Sequence, residues 1–182
     1  MINYLEIINQ FIKPTSFTYK IYLIHVVLVT KKALEIACRL NLSLDQKNFI
    51  EEAGMLHDIG VIKVKSSKMD CQGDFPYVCH GVEGGKILKS LNLKPHALVA
   101  ERHIGVGVSK EDIESQNLPL PLRDMTPQTL EEKIITYADL FFSKRENILW
   151  QEEKPEKIIM ELRKYGQNKE KIFLAWQHEF EF

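Results

Sequence analysis

Cysteine is scarce in this sequence, which contains Cys38, Cys71 and Cys79 and no others. The number is odd, and the spacings match no zinc-ribbon or redox motif, so the pattern does not indicate a disulfide framework. Reduced thiols in a reducing compartment are therefore predicted, each with a structural or incidental role.

Long hydrophobic runs are also missing. The longest, "IYLIHVVLV", is far shorter than the roughly 20 residues that a membrane span needs, and it contains His25. The start, "MINYLEIINQFIKP", lacks the basic, apolar and small-residue segments of a secretory signal. These absences predict a cytoplasmic protein without a membrane span.

Neither sign of charge is in excess, because 24 Lys and Arg residues face 25 Asp and Glu residues. The overall balance therefore indicates neither a nucleic-acid polymer nor a membrane surface as a partner. The length of 182 residues suffices for one domain with a sizeable core. We interpret residues 1–182 as a single domain.

Strand-like alternation is rare, whereas apolar residues recur at helical spacing through most of the chain, which predicts an all-α protein. A first helix is expected over about 2–12, before Pro14. A long second helix should contain His25, with Thr15, Ser16 and Thr18 as possible N-caps. Ser43 and Gln46 form a capping-box pattern that opens a third helix, which ends at His57 and Asp58.

The second half of the chain begins with an irregular segment, Gly60 to Pro76, which we interpret as a long loop. His80 opens a short helix, and Pro95 suits the first turn of the next one, whose last turn holds His103. Thr126 as N-cap and Pro127 at the first position predict a strong helix through "QTLEEKIITYADLFFSK". Two more helices are expected over about 154–165 and 168–180.

Six polar side chains lie in apolar surroundings, each at a helix or a helix end. An imidazole or carboxylate is costly to bury unless it is hydrogen-bonded, paired or bound to metal, so several that converge on one core need a common partner. A metal cluster would supply that partner. The six are His25, His57, Asp58, His80, His103 and Asp139.

In their order and context these residues resemble the HD superfamily of metal-dependent phosphohydrolases. The resemblance rests on "HDIG" at His57 and Asp58, on the preceding His25, and on Asp139 in "YADLF", and it spans about 20–145. "PYVCHGVEGGKIL" and "VAERHIG" resemble the segments that supply further histidines in dinuclear members. The resemblance implies an all-α HD-domain helical bundle, with an N-terminal helix and C-terminal helices packed on its core.

The resemblance also implies roles for the six residues. His25, His57 and Asp139 would bind one divalent ion, His80 and His103 a second, and Asp58 would bridge the two. The donors suit Mn, Fe, Zn, Ni, Co or Mg without selecting among them. A metal-bound hydroxide would then attack phosphorus. Asp58, His80 and His103 are the expected catalytic residues; with a single ion, the two histidines could instead orient phosphate or act as acids.

The match departs from the family pattern at two positions. Many relatives carry Lys directly after "HDIG", where this chain has Val61. Some signalling-nucleotide relatives have a second His at the position of Ile104, and they also carry a Gly-Tyr-Pro motif that is missing here. The second of these departures argues against the cyclic-dinucleotide branch.

Cations near the expected ligands are candidates for binding a phosphate group, although a solvated surface role is the alternative for each one. The candidates are Lys63, Lys65, Arg102 and Arg145, together with Lys68 and Lys144. Glu83 could support a ligand or form a surface salt bridge. His96 and His178 lack such a context and are expected to be solvated.

The function that we predict is hydrolysis of a phosphate ester or anhydride, most plausibly of a nucleotide. Two alternatives stay open: a di-iron oxygenase of the same superfamily, and a nucleotide-binding regulatory module without turnover. The expected partner is a small phosphorylated molecule. A homodimer is also left open, since the C-terminal aromatic residues could pack within the chain or form a dimer contact; they are Phe173, Trp176, Phe180 and Phe182.

Overall fold

The computed structural model describes residues 2–181, and for Gln167 only the backbone. It is predominantly helical, which confirms the predicted all-α class. Phe182 lies outside the described residues. The α-helices are α1 (Tyr4–Phe11), α2 (Phe17–Arg39), α3 (Leu44–Leu56), α4 (His80–Ser90), α5 (Lys94–Arg102), α6 (Lys110–Ser115), α7 (Leu130–Asp139), α8 (Pro155–Arg163) and α9 (Gln167–Glu181).

The helix starts show which predicted caps form. The Ser16 side chain accepts a hydrogen bond from the Tyr19 N–H and so begins α2. Ser43 and Gln46 form the predicted capping box of α3. A second capping box, from Ser109 to Asp112, begins the short α6, which the helical pattern had not indicated.

The predicted start of α7 is wrong. Thr129 rather than Thr126 caps this helix, by accepting a hydrogen bond from the Glu132 N–H. The preceding residues are extended instead, because Met125 forms two backbone hydrogen bonds with Val108. The helix also ends at Asp139, five residues before the predicted end, and the chain then turns away.

The segment predicted as a long loop contains short ordered elements. A 3-10 helix covers Ile59–Lys63, and β1 (Lys65–Ser66) pairs with β2 (Cys71–Gln72) in an antiparallel hairpin, with Lys65 opposite Gln72. A second 3-10 helix, Tyr77–Cys79, leads into α4. The hairpin is ordered because Met69, at its turn, is fully buried in the core.

The interior contains two large apolar clusters, to both of which α2 contributes, and a smaller third one around Val108 and Met125. Ile21, Tyr22 and Val26 pack with residues from α1, α4 and α5, whereas Val29 packs with residues from α3, α7 and α9. His25 lies one turn from Ile21 and one turn from Val29, at the junction of the two clusters. The core therefore places this imidazole deep in the molecule.

The C-terminal aromatic residues pack within the chain. Phe173 stacks on Tyr137, with ring centroids 5.3 Å apart, and Phe180 contacts the same ring edge-on. Trp176 is buried in the same cluster. The intramolecular alternative thus holds for these three residues, and a homodimer stays a prediction. None of the helices in the described part of the chain is both long and apolar enough to cross a bilayer.

His96 is not solvated as predicted, because it is 7% exposed and packs edge-on against Phe49. Its Nε2 lies 3.1 Å from Glu52 Oε2, while Glu52 Oε1 accepts a hydrogen bond from the Ile2 N–H. The buried pair therefore links α5 to α3 and to the N-terminal segment. His178 is exposed, in agreement with the prediction.

Replacing His96 by Ala should lower the free energy of unfolding by about 1–3 kcal/mol, the usual effect of removing one partner of a buried hydrogen bond. Burial lowers the pKa of His96 below 6.5, against the opposing effect of Glu52. The folded state thus favours the neutral ring, and its contribution to stability is complete above pH ~6.5 and decreases as the pH falls.

Denaturant unfolding of the wild type and His96→Ala between pH 5 and 8 tests this prediction. The difference in free energy of unfolding between the wild type and the variant should be largest at the alkaline end of this range and should decrease below pH ~6.5. His178→Ala serves as the control for the loss of an exposed imidazole. A difference that grows on acidification would contradict the assignment of a neutral buried His96.

Candidate metal centre

The structure brings together the six polar side chains that the sequence singled out. They come from the middle of α2, from the two residues that follow α3, from the first residue of α4, from the residue after α5 and from the last residue of α7. Five of them are buried, and the Asp139 side chain is 14% exposed. In chain order they are His25, His57, Asp58, His80, His103 and Asp139.

Asp139 and two imidazoles form one side of the cluster. Asp139 Oδ1 lies 2.9 Å from His25 Nε2 and 3.5 Å from His57 Nε2. Asp58 Oδ2 approaches the same two nitrogen atoms, at 3.4 Å and 3.9 Å respectively. Two carboxylates and two imidazoles thus face one common point.

The other oxygen atom of Asp58 faces the remaining pair of histidines. Asp58 Oδ1 lies 3.3 Å from His80 Nε2 and 3.5 Å from His103 Nε2. The two oxygen atoms of one carboxylate are therefore divided between two sets of imidazoles.

Backbone contacts fix the orientation of three rings. In each, Nδ1 lies at hydrogen-bond distance from the carbonyl oxygen three residues earlier: 2.6 Å for His57, 2.7 Å for His80 and 2.8 Å for His103. A carbonyl can only accept, so Nδ1 carries the proton and donates it. When such a ring is neutral, Nε2 presents its lone pair to the cluster, which is the form that binds a metal ion.

The contact between His80 and His103 suits a shared cation. Their Nε2 atoms are 3.0 Å apart. With Nδ1 protonated in both neutral rings, two lone pairs point at each other. An ion that accepts both lone pairs would remove this repulsion, whereas a hydrogen bond would require an additional proton.

The polar atoms at the centre of the cluster have few hydrogen bonds. Within the described residues no hydrogen-bond partner is found for His57 Nε2 or Asp58 Oδ1. Buried groups of this kind are costly unless paired or metal-bound. Three overlapping groups of these side chains place their donor atoms within 4.8 Å of one another. The donor set and its packing thus fit a divalent ion.

Burial keeps two of the imidazoles neutral at physiological pH. It lowers the pKa of His25 to about 4 and that of His80 to about 3, although Asp58 opposes the shift in both. Neutral imidazoles are therefore available as ligands, because a protonated ring has no free lone pair.

Comparison with known proteins now adds to this geometry. Residues 22–142 match the HD domain family, a range that contains all six cluster residues. The chain belongs to the HD domain family. Together, family and cluster support a metal-dependent phosphohydrolase.

Several relatives share part of the sequence of this HD domain. Over 133 residues it is 37% identical to the uncharacterized protein MJ0778 of Methanocaldococcus jannaschii, which covers 68% of the chain and 69% of that relative. Two others are tRNA (cytidine(56)-2'-O)-methyltransferases. The one from Picrophilus torridus is 35% identical over 51% of the chain and 24% of its own length. The one from Thermoplasma volcanium is 29% identical over 87% of the chain and 41% of its own length.

Solved structures share the HD domain fold. The HD domain of the L. monocytogenes phosphodiesterase PgpH has a TM-score of 0.55 and 18% identity, covering 94% of this chain and 93% of that one. The same domain in complex with cyclic-di-AMP has a TM-score of 0.55 and 17% identity, covering 95% and 93%. At this level of identity the likeness shows the fold alone.

Gly60 sets the spacing between the 3-10 helix that follows Asp58 and the start of α4 at His80. A Cβ atom on Gly60 would lie 2.0 Å from the His80 carbonyl oxygen and 2.2 Å from the Gly84 nitrogen. The 3-10 helix after Asp58 therefore packs directly against the backbone of α4. This close approach positions His80 beside Asp58.

Lys144 lies at the HD domain cluster, although its position in the sequence had suggested only proximity to a ligand. Its Nζ is 2.7 Å from Asp58 Oδ2 and 3.9 Å from Asp139 Oδ1, and the side chain is 13% exposed. Burial opposes its charge, but Asp58 and the neighbouring groups raise the pKa of Lys144 well above its usual value. The only signal in the sequence was a lysine shortly after the final aspartate.

The other cations expected to bind phosphate have different surroundings. Lys65 and Arg145 line a cavity beside the cluster. Lys63 is exposed and does not line that cavity. Arg102 donates two hydrogen bonds, of 2.9 Å and 3.0 Å, to Glu132. Glu83 forms the predicted salt bridge, with Lys86 at 2.6 Å.

Proposed function

We propose that this HD domain hydrolyses a phosphate ester or anhydride of a nucleotide, with two divalent ions in the cluster. The observation that carries the proposal is that the two carboxylate oxygen atoms of Asp58 face different pairs of histidines. Oδ2 faces His25 and His57, and Oδ1 faces His80 and His103. A carboxylate in this position suits a bridge between two ions. Bound ions would supply Lewis acidity and lower the pKa of a water molecule.

The residues of the chain would divide the remaining work. His25, His57 and Asp139 would hold one ion, and His80 and His103 the other. Asp58 would fix the distance between the two sites. The carbonyl contacts at Nδ1 would keep three rings in the tautomer that binds metal.

Lys144 would bind the phosphate group of the substrate. Its ammonium group is held at the cluster but retains some exposure, so it can interact with a phosphate oxygen that approaches from solvent. An ammonium group at this point would also stabilise charge that develops on the phosphate in the transition state.

A cavity beside His80 suits the nucleoside. We name it the apolar cavity; its volume is about 590 Å³, within the roughly 300–1,000 Å³ of small-molecule sites. Ile104, Leu140 and Phe142 line it. Apolar walls next to a phosphate-binding centre favour a ligand with a flat apolar part and an anionic part.

Metal loading and activity test the proposal together. Protein purified without chelator should contain two divalent ions per chain by elemental mass spectrometry. Removing them should abolish turnover of nucleotides and of p-nitrophenyl phosphate, and reloading should restore it. At a metal concentration of 100 Kd the reloaded protein should be more stable than the metal-free protein by about 2.7 kcal/mol for each ion bound.

The same preparation distinguishes the alternatives. Unchanged turnover without oxygen excludes an oxygenase reaction, whereas predominant iron with oxygen consumption would support the di-iron oxygenase. Tight nucleotide binding without product would support the regulatory module. If only one ion binds even when metal is in excess, His80 and His103 would instead bind phosphate or transfer a proton. Because two relatives are tRNA methyltransferases, tRNA with a terminal phosphate belongs in the substrate panel.

A further inference from the structure

A second cavity, of about 440 Å³, adjoins the cluster on the side of Lys144. We name it the basic cavity after its four cations, Lys65, Lys68, Lys144 and Arg145. Three serines also line it. It shares Tyr77, Ser143 and Arg145 with the apolar cavity, so these residues form the wall between the two.

The charge of the basic cavity is uncompensated by its own walls. No carboxylate is among its lining residues in the described part of the chain. Lys144 pairs with Asp58 of the cluster, whereas none of the ion pairs between described residues involves Lys65, Lys68 or Arg145. Like charges gathered in one concavity repel one another, and a bound anion would offset that repulsion.

The lysines and acids of the apolar cavity show a different arrangement. Lys157 pairs with Glu153 at 2.5 Å, and Lys169 pairs with Asp112. The charges in that cavity are therefore largely neutralised by neighbours, and its surface is mainly apolar. The two cavities thus differ in the part of a ligand that they suit.

The β-hairpin holds its two lysines at the wall of the basic cavity. The Thr18 hydroxyl donates a hydrogen bond of 2.7 Å to the Met69 carbonyl, and the Met69 side chain is fully buried. The Lys65 N–H donates a hydrogen bond of 2.8 Å to the Phe75 carbonyl. Lys65 and Lys68 therefore extend from an anchored backbone, which limits the entropy lost when they bind a ligand.

We propose that the basic cavity binds a second phosphate group of the substrate, through Lys65, Lys68 and Arg145. This inference rests on the proposed function and narrows its substrate class to small nucleotides that carry two phosphate groups. One phosphate group lies at the Asp58 cluster beside Lys144, and the other lies in the basic cavity. The base lies beyond the shared wall, in the apolar cavity.

A double variant, Lys65→Ala with Lys68→Ala, tests the inference. The probes are adenosine 5'-monophosphate, adenosine 5'-diphosphate, adenosine 3',5'-bisphosphate and p-nitrophenyl phosphate, each assayed with the metal-loaded full chain. The KM for the better two-phosphate substrate should rise about tenfold or more, because charge-assisted contacts are lost. Its kcat, and the KM for both one-phosphate substrates, should change less than about twofold.

The matched control removes two lysines elsewhere, Lys31→Ala with Lys94→Ala. Both are exposed, on α2 and α5, and neither lines the basic or the apolar cavity. This control should leave every KM unchanged, which separates a local effect from the loss of net charge. Circular dichroism checks that both variants fold; Lys68→Gln alone replaces the double variant if that one does not.

The outcomes separate the two levels of the proposal. If the wild type hydrolyses one- and two-phosphate substrates with equal KM, and the double variant changes neither, the inference is overturned while the hydrolase stands. If no phosphate ester is turned over, the proposed function fails. Binding of adenosine 3',5'-bisphosphate, measured by calorimetry, then tests separately whether the basic cavity binds a phosphate group. Binding about tenfold weaker to the double variant than to the wild type would support this claim, and equal binding would refute it.

Discussion

Replacing Asp58 by Asn should reduce kcat/KM for any phosphate substrate by about 10³-fold or more, equivalent to about 4 kcal/mol of transition-state stabilisation. The side chain keeps its shape but loses the charge that both halves of the cluster share. One of its atoms becomes an amide nitrogen, which cannot act as a metal ligand in place of a carboxylate oxygen. Elemental mass spectrometry should therefore show a loss of bound metal together with the loss of activity.

Asp45→Asn is the matched control for this substitution. Asp45 is an exposed residue in the first turn of α3, on the same helix that leads to the cluster. Its substitution should leave metal content and turnover unchanged. Full turnover by a folded Asp58→Asn protein would be incompatible with the proposed function.

Replacing Gly60 by Ala should have the largest effect on stability, lowering the free energy of unfolding by about 3 kcal/mol or more. The added methyl would meet the backbone of His80 and Gly84, at 2.0 Å and 2.2 Å, rather than a flexible side chain. The 3-10 helix and α4 would have to separate. The melting temperature should fall by roughly 6–12 °C for a chain of this size.

Activity should fall with stability in Gly60→Ala, since separation of the two elements moves His80 away from Asp58. Gly105→Ala is an informative control because Gly105 has a φ of +62° but no atom within 4 Å of an added Cβ. Gly105→Ala should lower the free energy of unfolding by only about 1–2 kcal/mol, the usual cost of a non-glycine residue in the left-handed conformation. A smaller loss for Gly60→Ala than for Gly105→Ala would contradict the close packing of α4.

Local signals predicted the helices where a cap and an apolar period coincide. The capping box of Ser43 and Gln46 and the Ser16 cap of α2 are cases in which the local rule holds. Thr126 and Thr129 are both suitable N-cap residues, and the capping-box spacing from Thr129 to Glu132 was a local signal that the prediction from Pro127 overlooked. The pairing of Met125 with Val108 decides the choice, and it joins residues that are distant along the chain.

The buried pair of His96 and Glu52 shows the same limit. Neither residue lies in a pattern that sets it apart from a surface residue, and their contact spans 44 positions. A histidine next to a helix start is usually solvated, and only the packing of α5 against α3 reverses that expectation.

The sequence by itself determined the helical class and the six polar residues of the cluster, because buried groups of metal-binding type are costly without a common partner. Only the tertiary structure decided the place of Lys144 beside Asp58 and the position of the two cavities. The predicted continuation of α7 would have carried Lys144 along the helix. Instead the helix ends at Asp139, and the Phe141 carbonyl accepts a hydrogen bond from the Glu153 N–H.

This turn follows from packing between distant segments rather than from local propensity. Phe141 packs against Tyr137 and Phe173, so the aromatic cluster with α9 fixes where the chain leaves α7. The turn then returns Lys144 to Asp58 and places Arg145 between the cavities. Helix ends set by such contacts are not encoded in the apolar period of the helix itself, because tertiary packing supplies most of the stability of a helix.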